Sequence, residues 1–278
     1  MSDRMSMLTT ATTTRTKDIT MTDAHSPGAA PVGPIPELAT RVEPPTAAQD
    51  RDLALYRLLA WVSPGYPTGA FSYSHGLEWA VEHGSVTNVG DLIDYVTAVT
   101  SRGGGWIDAV LFAHAWRAAL SKDLPELDAV TQLAAAFRGS AETALESRQQ
   151  GTAFLDVTRK AWPHATLDEF ATRSAASDTP VAHCIAVAVA CAAHNISLGP
   201  ALRAYLHAVA ANLVSAGARL IPLGQTQAQI AIARLASGIN EAAKRASATA
   251  LDDLGTCAPA VELCSLHHET QYTRLFRS

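Results

Sequence analysis

Residues 61–79 read WVSPGYPTGAFSYSHGLEW, and they join two kinds of backbone. Pro64 and Pro67 lack an N–H, and Gly65 and Gly69 are conformationally loose, so no regular element runs through the segment. Beyond it, Ser72 or Ser74 is the cap of a helix carrying Leu77, Trp79, Ala80 and Val81, and Gly84 stops that helix. Upstream, Leu55, Leu58, Leu59 and Val62 share one face of a helix over 52–62. The pattern is helix, rigid corner, helix. Phe71, Tyr73 and Trp79 gather three of the chain's few aromatics within nine residues. Such a turn is either a tight corner or a loop that carries function.

The same pattern continues outward. Asn88 caps a third helix, with Asp91 favouring its positive end and Val89, Leu92, Ile93, Val96 and Val99 as its apolar stripe. Gly103, Gly104 and Gly105 break the chain. A triple glycine also suits a phosphate cradle, but GxxxxGK[ST] is absent from the sequence. Further helices are expected over 106–120 and 125–137, the second opened by Asp123, Pro125 and Glu126. A long one starts at Ser140 and Thr143 and ends before Pro163. Thr166 with Glu169 reads as a capping box for a short helix. The stretch 180–194 is apolar on every side, which places it at the centre of a bundle. A helix over 200–219 leads to a second rigid corner, Ile221-Pro222-Leu223-Gly224. Thr226 with Gln229 reads as the box of a last long helix, to about Ser247. In 255–278 apolar and charged residues hold no single helical face. The expectation is an all-α, single-domain bundle of about ten helices and no sheet over 51–278. Residues 1–50, rich in Thr, Ser, Pro and Gly, are expected to be a disordered tail, and Met5, Met7 and Met21 offer later starts.

Composition agrees. Of 278 residues, 48% are hydrophobic, enough for a sizeable core. Runs rich in Val, Ile and Thr with alternating polarity are missing. The net charge is −5 and no basic run appears, which argues against nucleic acid as a partner. The longest apolar stretch, 181–193, is too short for the ~20 residues that span a bilayer, and residues 1–10 lack an apolar signal core, so no membrane role and a cytoplasmic location are expected. Cys184 and Cys191, like Cys257 and Cys264, are seven apart. On one helix that is about 10 Å along the axis, too far for a disulfide, so reduced, mostly buried thiols are expected.

Ten histidines and four cysteines invite a metal reading. Cys184, Cys191 and His194 offer one helix face with three ligands, the basis of an alternative reading as a helical metal-dependent enzyme. His267, His268 and Glu269 are adjacent and so point in different directions. HExxH and CxxC are absent. Ser72, Ser74, His75 and Glu78 place a nucleophile, a base and an acid within seven residues, but local clusters rarely reach triad geometry and GxSxG is missing. The C-terminal end is the stronger candidate. Tyr272, Arg274, Phe276 and Arg277 mix the aromatic and guanidinium groups enriched at interface hot spots. Leu275 and Phe276 either dock on a partner or fold back onto their own bundle.

SPGYPTGAFSYSHGLEWAVEHG at 63–84, ARLIPLGQTQAQ at 218–229 and HETQYTRLFRS at 268–278 together resemble the UreF family, urease accessory protein F. SRQQGTAFL at 147–155 agrees; in the family its glycine lets helices approach closely. The resemblance covers roughly residues 53–278. It implies a non-catalytic, homodimeric assembly factor that bridges accessory protein D (also called H) and the GTPase accessory protein G, so that nickel reaches apo-urease. It implies no stably bound cofactor: nickel is handled by the complex, and GTP and magnesium belong to the GTPase. Matched residue by residue, the partner-binding positions are Pro67, Gly69, Phe71, Tyr73, Ser74, Glu78, Gln225, Thr226, His268, Glu269, Gln271, Tyr272, Arg274, Leu275, Phe276 and Arg277, with 256–278 the docking segment. Two positions depart: His75 stands where the family commonly has glutamine, and His267 where it commonly has arginine. The second change replaces a permanent, bidentate cation with a titratable one.

Overall fold

The structure, a computed structural model, describes residues 47–278, with side chains from Asp50 onward. The expected disordered tail lies outside the described residues, save its last four, which are already helical. The elements are α1 (Ala47–Trp61), a 3-10 turn (Ala70–Ser72), α2 (Leu77–Glu82), α3 (Val89–Arg102), α4 (Gly104–Ser121), α5 (Leu124–Ala136) and α6 (Ala141–Ala161). They continue with α7 (Ala165–Ala176), α8 (His183–Ala193), α9 (Leu198–Leu220), α10 (Gln225–Ala248), a second 3-10 turn (Leu251–Asp253) and α11 (Pro259–His268). No strand occurs among the described residues, so the fold is all-α.

Several starts are set by the residues the sequence points to. The Asn88 side chain accepts the N–H groups of Gly90 and Asp91 at 2.8 and 3.2 Å. Ser140 and Thr143 form a reciprocal box, each side-chain oxygen accepting the other's N–H at 3.2 Å. Asp123 accepts from Glu126 N at 3.2 Å, and Pro125 sits in the first turn, where its missing N–H is not needed. Three starts differ from expectation. At α2 the cap position is Gly76, not Ser72 or Ser74, although the Ser74 hydroxyl oxygen still accepts Glu78 N at 3.3 Å. Thr166 lies inside α7 and donates its N–H to His164 Nδ1 at 3.2 Å, so the histidine is the cap. At α10 the Gln227 side chain accepts Gly224 N at 3.1 Å, two residues earlier than a Thr226–Gln229 box requires.

The central helix is α8, buried from Cys184 through Ala192. It packs chiefly on α4 and α6, and also on α7 and α9; α10 covers α3, α4 and α9. The glycine of 147–155 does make a close approach: a Cβ on Gly151 would lie 2.0 Å from the Val181 carbonyl, so α6 can meet the segment before α8 only without a side chain there.

The C-terminal end corrects expectation twice. It contains a helix, α11, whose buried residues Val261, Cys264, Ser265 and His268 are spaced i, i+3, i+4, i+7. Two of those four are polar, which is why apolar periodicity does not register it. The residues that follow also bury groups of their own. Phe276 is 4% exposed and Ser278 is fully buried, so part of the docking segment is core of its own bundle. Burying Phe276 alone contributes ~1.5–3 kcal/mol.

Candidate functional site

The organising corner and the C-terminal residues are brought together. Gly69 (φ +76°) and Gly76 (φ +75°) take left-handed conformations that reverse the chain on either side of the 3-10 turn, and His75 (φ +52°) shares the second bend. The corner offers its backbone to the tail. Ser74 N–H donates to the Ser278 carbonyl at 2.6 Å, the Ser74 hydroxyl donates to the same oxygen, and Arg277 N–H donates to Ser72 O at 2.8 Å. Between corner and tail lies Arg219 of α9. Its guanidinium donates to Phe71 O at 2.9 Å and sits 4.5 Å from the centre of the Phe276 ring.

Carboxylates from two helices fasten the same segment. Glu78 on α2 accepts the N–H groups of Leu275 and Phe276 at 2.6 and 2.8 Å. His268 is fully buried between Glu78 and Glu142. Arg274 pairs with Glu142 at 2.5 Å, and Glu269 accepts Ala141 N at 2.7 Å at the start of α6. Gln271 donates to Glu82 and to Thr273 O. One turn along α6, Glu146 holds His75 at 3.0 Å, Gln150 at 2.7 Å and the Ser278 hydroxyl at 2.9 Å. Burial works against a charge on His75, but the Glu146 carboxylate outweighs it and raises the pKa above its ordinary value.

Of the residues selected from sequence, Tyr73, Ser74, Glu78, His268 and Phe276 are therefore buried anchors. Burial raises the Tyr73 hydroxyl's pKa; it donates to Gln149 at 2.5 Å, with Arg277 beside it. Phe71 is 67% exposed, Leu275 66%, and Tyr272 entirely, so these three face outward from the anchored frame. Pro67, Arg274 and Arg277 are also exposed. Gln225 and Thr226 stand exposed at the start of α10, outside this network. The sequence reading missed Arg219, Glu142 and Glu146. Arg219 lies inside the quoted block 218–229. Glu142 and Glu146 are four apart, with Gln150 the next step, so one polar stripe of α6 faces inward.

Behind the anchors is a cavity of about 470 Å³, whose wall includes His75, Asp108, Arg138, Glu146 and His183. Arg138 pairs with Asp108 at 2.7 Å, and the Tyr205 hydroxyl donates to the other Asp108 oxygen at 2.7 Å. Burial pushes Asp108 up, but Arg138 and Tyr205 hold its carboxyl below the ordinary range. Burial takes His183 down to about 4, so its ring is neutral at ordinary pH. The Ser72–Glu78 cluster forms no triad: Ser74 and Glu78 bind the tail and the His75 ring turns to Glu146. On α8, burial raises the thiols of Cys184 and Cys191 well above the ordinary range. His194 bonds the Trp162 carbonyl at 3.2 Å. Among the described residues no group of three or more His, Cys, Asp or Glu side chains is placed to share a metal ion. No helix among them is long and apolar enough to cross a membrane. The arrangement fastens the corner, α6 and the C-terminal residues to one another.

Comparison with known proteins gives a consistent result. A family model described as UreF matches residues 86–236. A urease accessory protein UreF of Granulibacter bethesdensis is 52% identical over 227 residues, 82% of this chain and 95% of that protein. Proteins of the same name from Rhodopseudomonas palustris (strain TIE-1) and Bradyrhizobium diazoefficiens are 47% and 46% identical. They cover 85% and 81% of this chain, and 99% and 92% of their own lengths.

Proposed function

Because this chain belongs to the UreF family of urease accessory proteins, we propose that it is a non-catalytic assembly factor bridging accessory protein D/H and the GTPase accessory protein G. Nickel then passes to apo-urease as cargo of the assembled complex. GTP and magnesium belong to the GTPase, and this chain contributes binding surface. The observation that carries the reading is the exposure of Phe71, Tyr272 and Leu275 on a frame whose neighbouring residues are fastened by buried anchors. Large apolar groups held outward at fixed positions lose little freedom on docking, which favours affinity.

The same reading takes the protein as a cytoplasmic homodimer. We infer that it associates with its copy through α1, a reading supported by Leu55 and Leu59, four apart, which are 57% and 62% exposed beside the exposed Tyr56. Co-expression with accessory proteins D/H and G, followed by affinity purification on this chain, tests the proposal. Recovery of both partners supports it, and recovery of neither from a folded protein contradicts it.

A further inference from the structure

The cavity behind the anchors, of about 470 Å³, falls within the ~300–1,000 Å³ of small-molecule sites. Its wall carries hydrogen-bonding capacity that the protein leaves unspent. Gln150 is 6% exposed, and its amide nitrogen donates to Glu146 at 2.7 Å, so the amide oxygen is the other end, and it accepts nothing. Asn212 on α9 donates its amide nitrogen to the Tyr73 carbonyl at 3.2 Å, which leaves its oxygen unspent in the same way. Each nitrogen is fixed by what it faces, a carboxylate or a carbonyl, which can only accept. The neutral ring of His183 lies against the Phe154 and Tyr205 rings, but neither of its nitrogens has a hydrogen-bond partner among the described residues. One of the two is an acceptor. Three unspent acceptors, from α6, α8 and α9, thus share one cavity.

The charges around them are unequal. The wall includes the carboxylates of Asp108, Glu146 and Glu262 and the guanidinium of Arg138. At His183, Asp108 and Glu146 each favour a positive charge more than Arg138 opposes it, and it is burial that keeps the ring neutral. A ligand that brings a permanent positive charge and its own N–H groups answers both the acceptors and the field. Tyr66 and Phe137 supply aromatic wall for the rest of such a molecule. A bare metal ion is served less well, since no group of three or more His, Cys, Asp or Glu side chains among the described residues is placed to share one.

We propose that this cavity is a binding site for a small organic cation, an apolar planar body carrying an amidinium or primary ammonium group. The cationic end meets Gln150, Asn212 and His183, and the body lies along the aromatic wall. The site is a property of the chain alone and does not rest on the partners proposed above.

Titration calorimetry of the full chain with benzamidine tests it, with benzamide as a neutral probe of the same shape. Saturable binding of benzamidine is expected below about 10 mM, at least about tenfold tighter than that of benzamide. His183→Leu, which removes one acceptor at similar volume, is expected to weaken benzamidine by about tenfold. Asn212→Leu removes another and is expected to do the same, so it decides if the first variant does not fold. No saturable binding, equal affinity for the two probes, or benzamidine binding unchanged in a folded variant overturns the proposal.

Discussion

Glu78 accepts the backbone N–H of Phe276 at 2.8 Å across 198 residues of sequence, and the same carboxylate takes Leu275 N–H at 2.6 Å. One side chain in the first turn of α2 thereby fixes the course of the C-terminal residues. Charge-assisted bonds of this kind contribute about 1.5–3 kcal/mol, and losing the acceptor strands buried donors. Glu78→Ala is expected to lower the thermal midpoint by several degrees, at about 2–4 °C per kcal/mol for a chain of this size. Differential scanning calorimetry checks this, and an unchanged midpoint refutes it. Removing 269–278 is likewise expected to cost stability, since it uncovers Glu78, Glu142 and the Phe276 site together.

Two glycines in the same corner separate strain from space. Gly69 and Gly76 have nearly the same φ, but a Cβ on Gly69 meets nothing within 4 Å, whereas one on Gly76 would lie 2.4 Å from Ser265 N on α11. Gly69→Ala is expected to cost about 1 kcal/mol for the left-handed conformation alone. Gly76→Ala is expected to cost at least about twice that, because α11 must move. Urea denaturation of the two variants ranks them; equal losses contradict this account.

A histidine of the cavity wall sets an acid limit. The folded pKa of His183 is depressed to about 4 by burial, against an unfolded value of about 6.5. Between the two the unfolded chain binds a proton that the fold does not, so stability falls as pH drops through that window. The loss is about 2 kcal/mol by pH 5. His75, with its raised pKa, acts in the opposite direction. His183→Gln is therefore expected to be less acid-sensitive than the wild type. Denaturation at pH 7 and pH 5 measures the difference, and an identical acid loss in both proteins rules out this histidine as its source.

The helices were legible where local chemistry sets them. Asn88, Asp123 and Ser140 cap by their own side chains, and the all-apolar run at 180–194 can only be central. The starts of α7 and α10 were misread because a histidine nitrogen does the capping work usually given to Ser or Thr at α7, and α10 opens at a glycine that has no side chain to cap with and only Gln227 to take its N–H. At the site, the exposed aromatics and arginines were visible in the sequence. Their anchors were not: whether Phe276 points into the bundle depends on Glu78 and Arg219, which are 198 and 57 residues away in the chain. Helix α11 stayed hidden because Ser265 and His268 complete its buried face.

The α1 face makes a separate prediction. Leu55→Glu with Leu59→Glu places charge on side chains that are already 57% and 62% exposed, so the isolated fold should be little affected. Light scattering is expected to show a dimer for the wild type and a monomer for the double variant. A dimer in both places the self-association surface elsewhere.

The most direct measurement is recovery of accessory proteins D/H and G on a chain carrying Phe71→Ala, Tyr272→Ala and Leu275→Ala together. All three side chains are at least 66% exposed, so helical circular dichroism and the melting midpoint should match the wild type. The account predicts that this folded variant loses partner capture by about thirtyfold or more, as hot-spot truncation does. A folded triple variant that recovers both partners as fully as the wild type would contradict it.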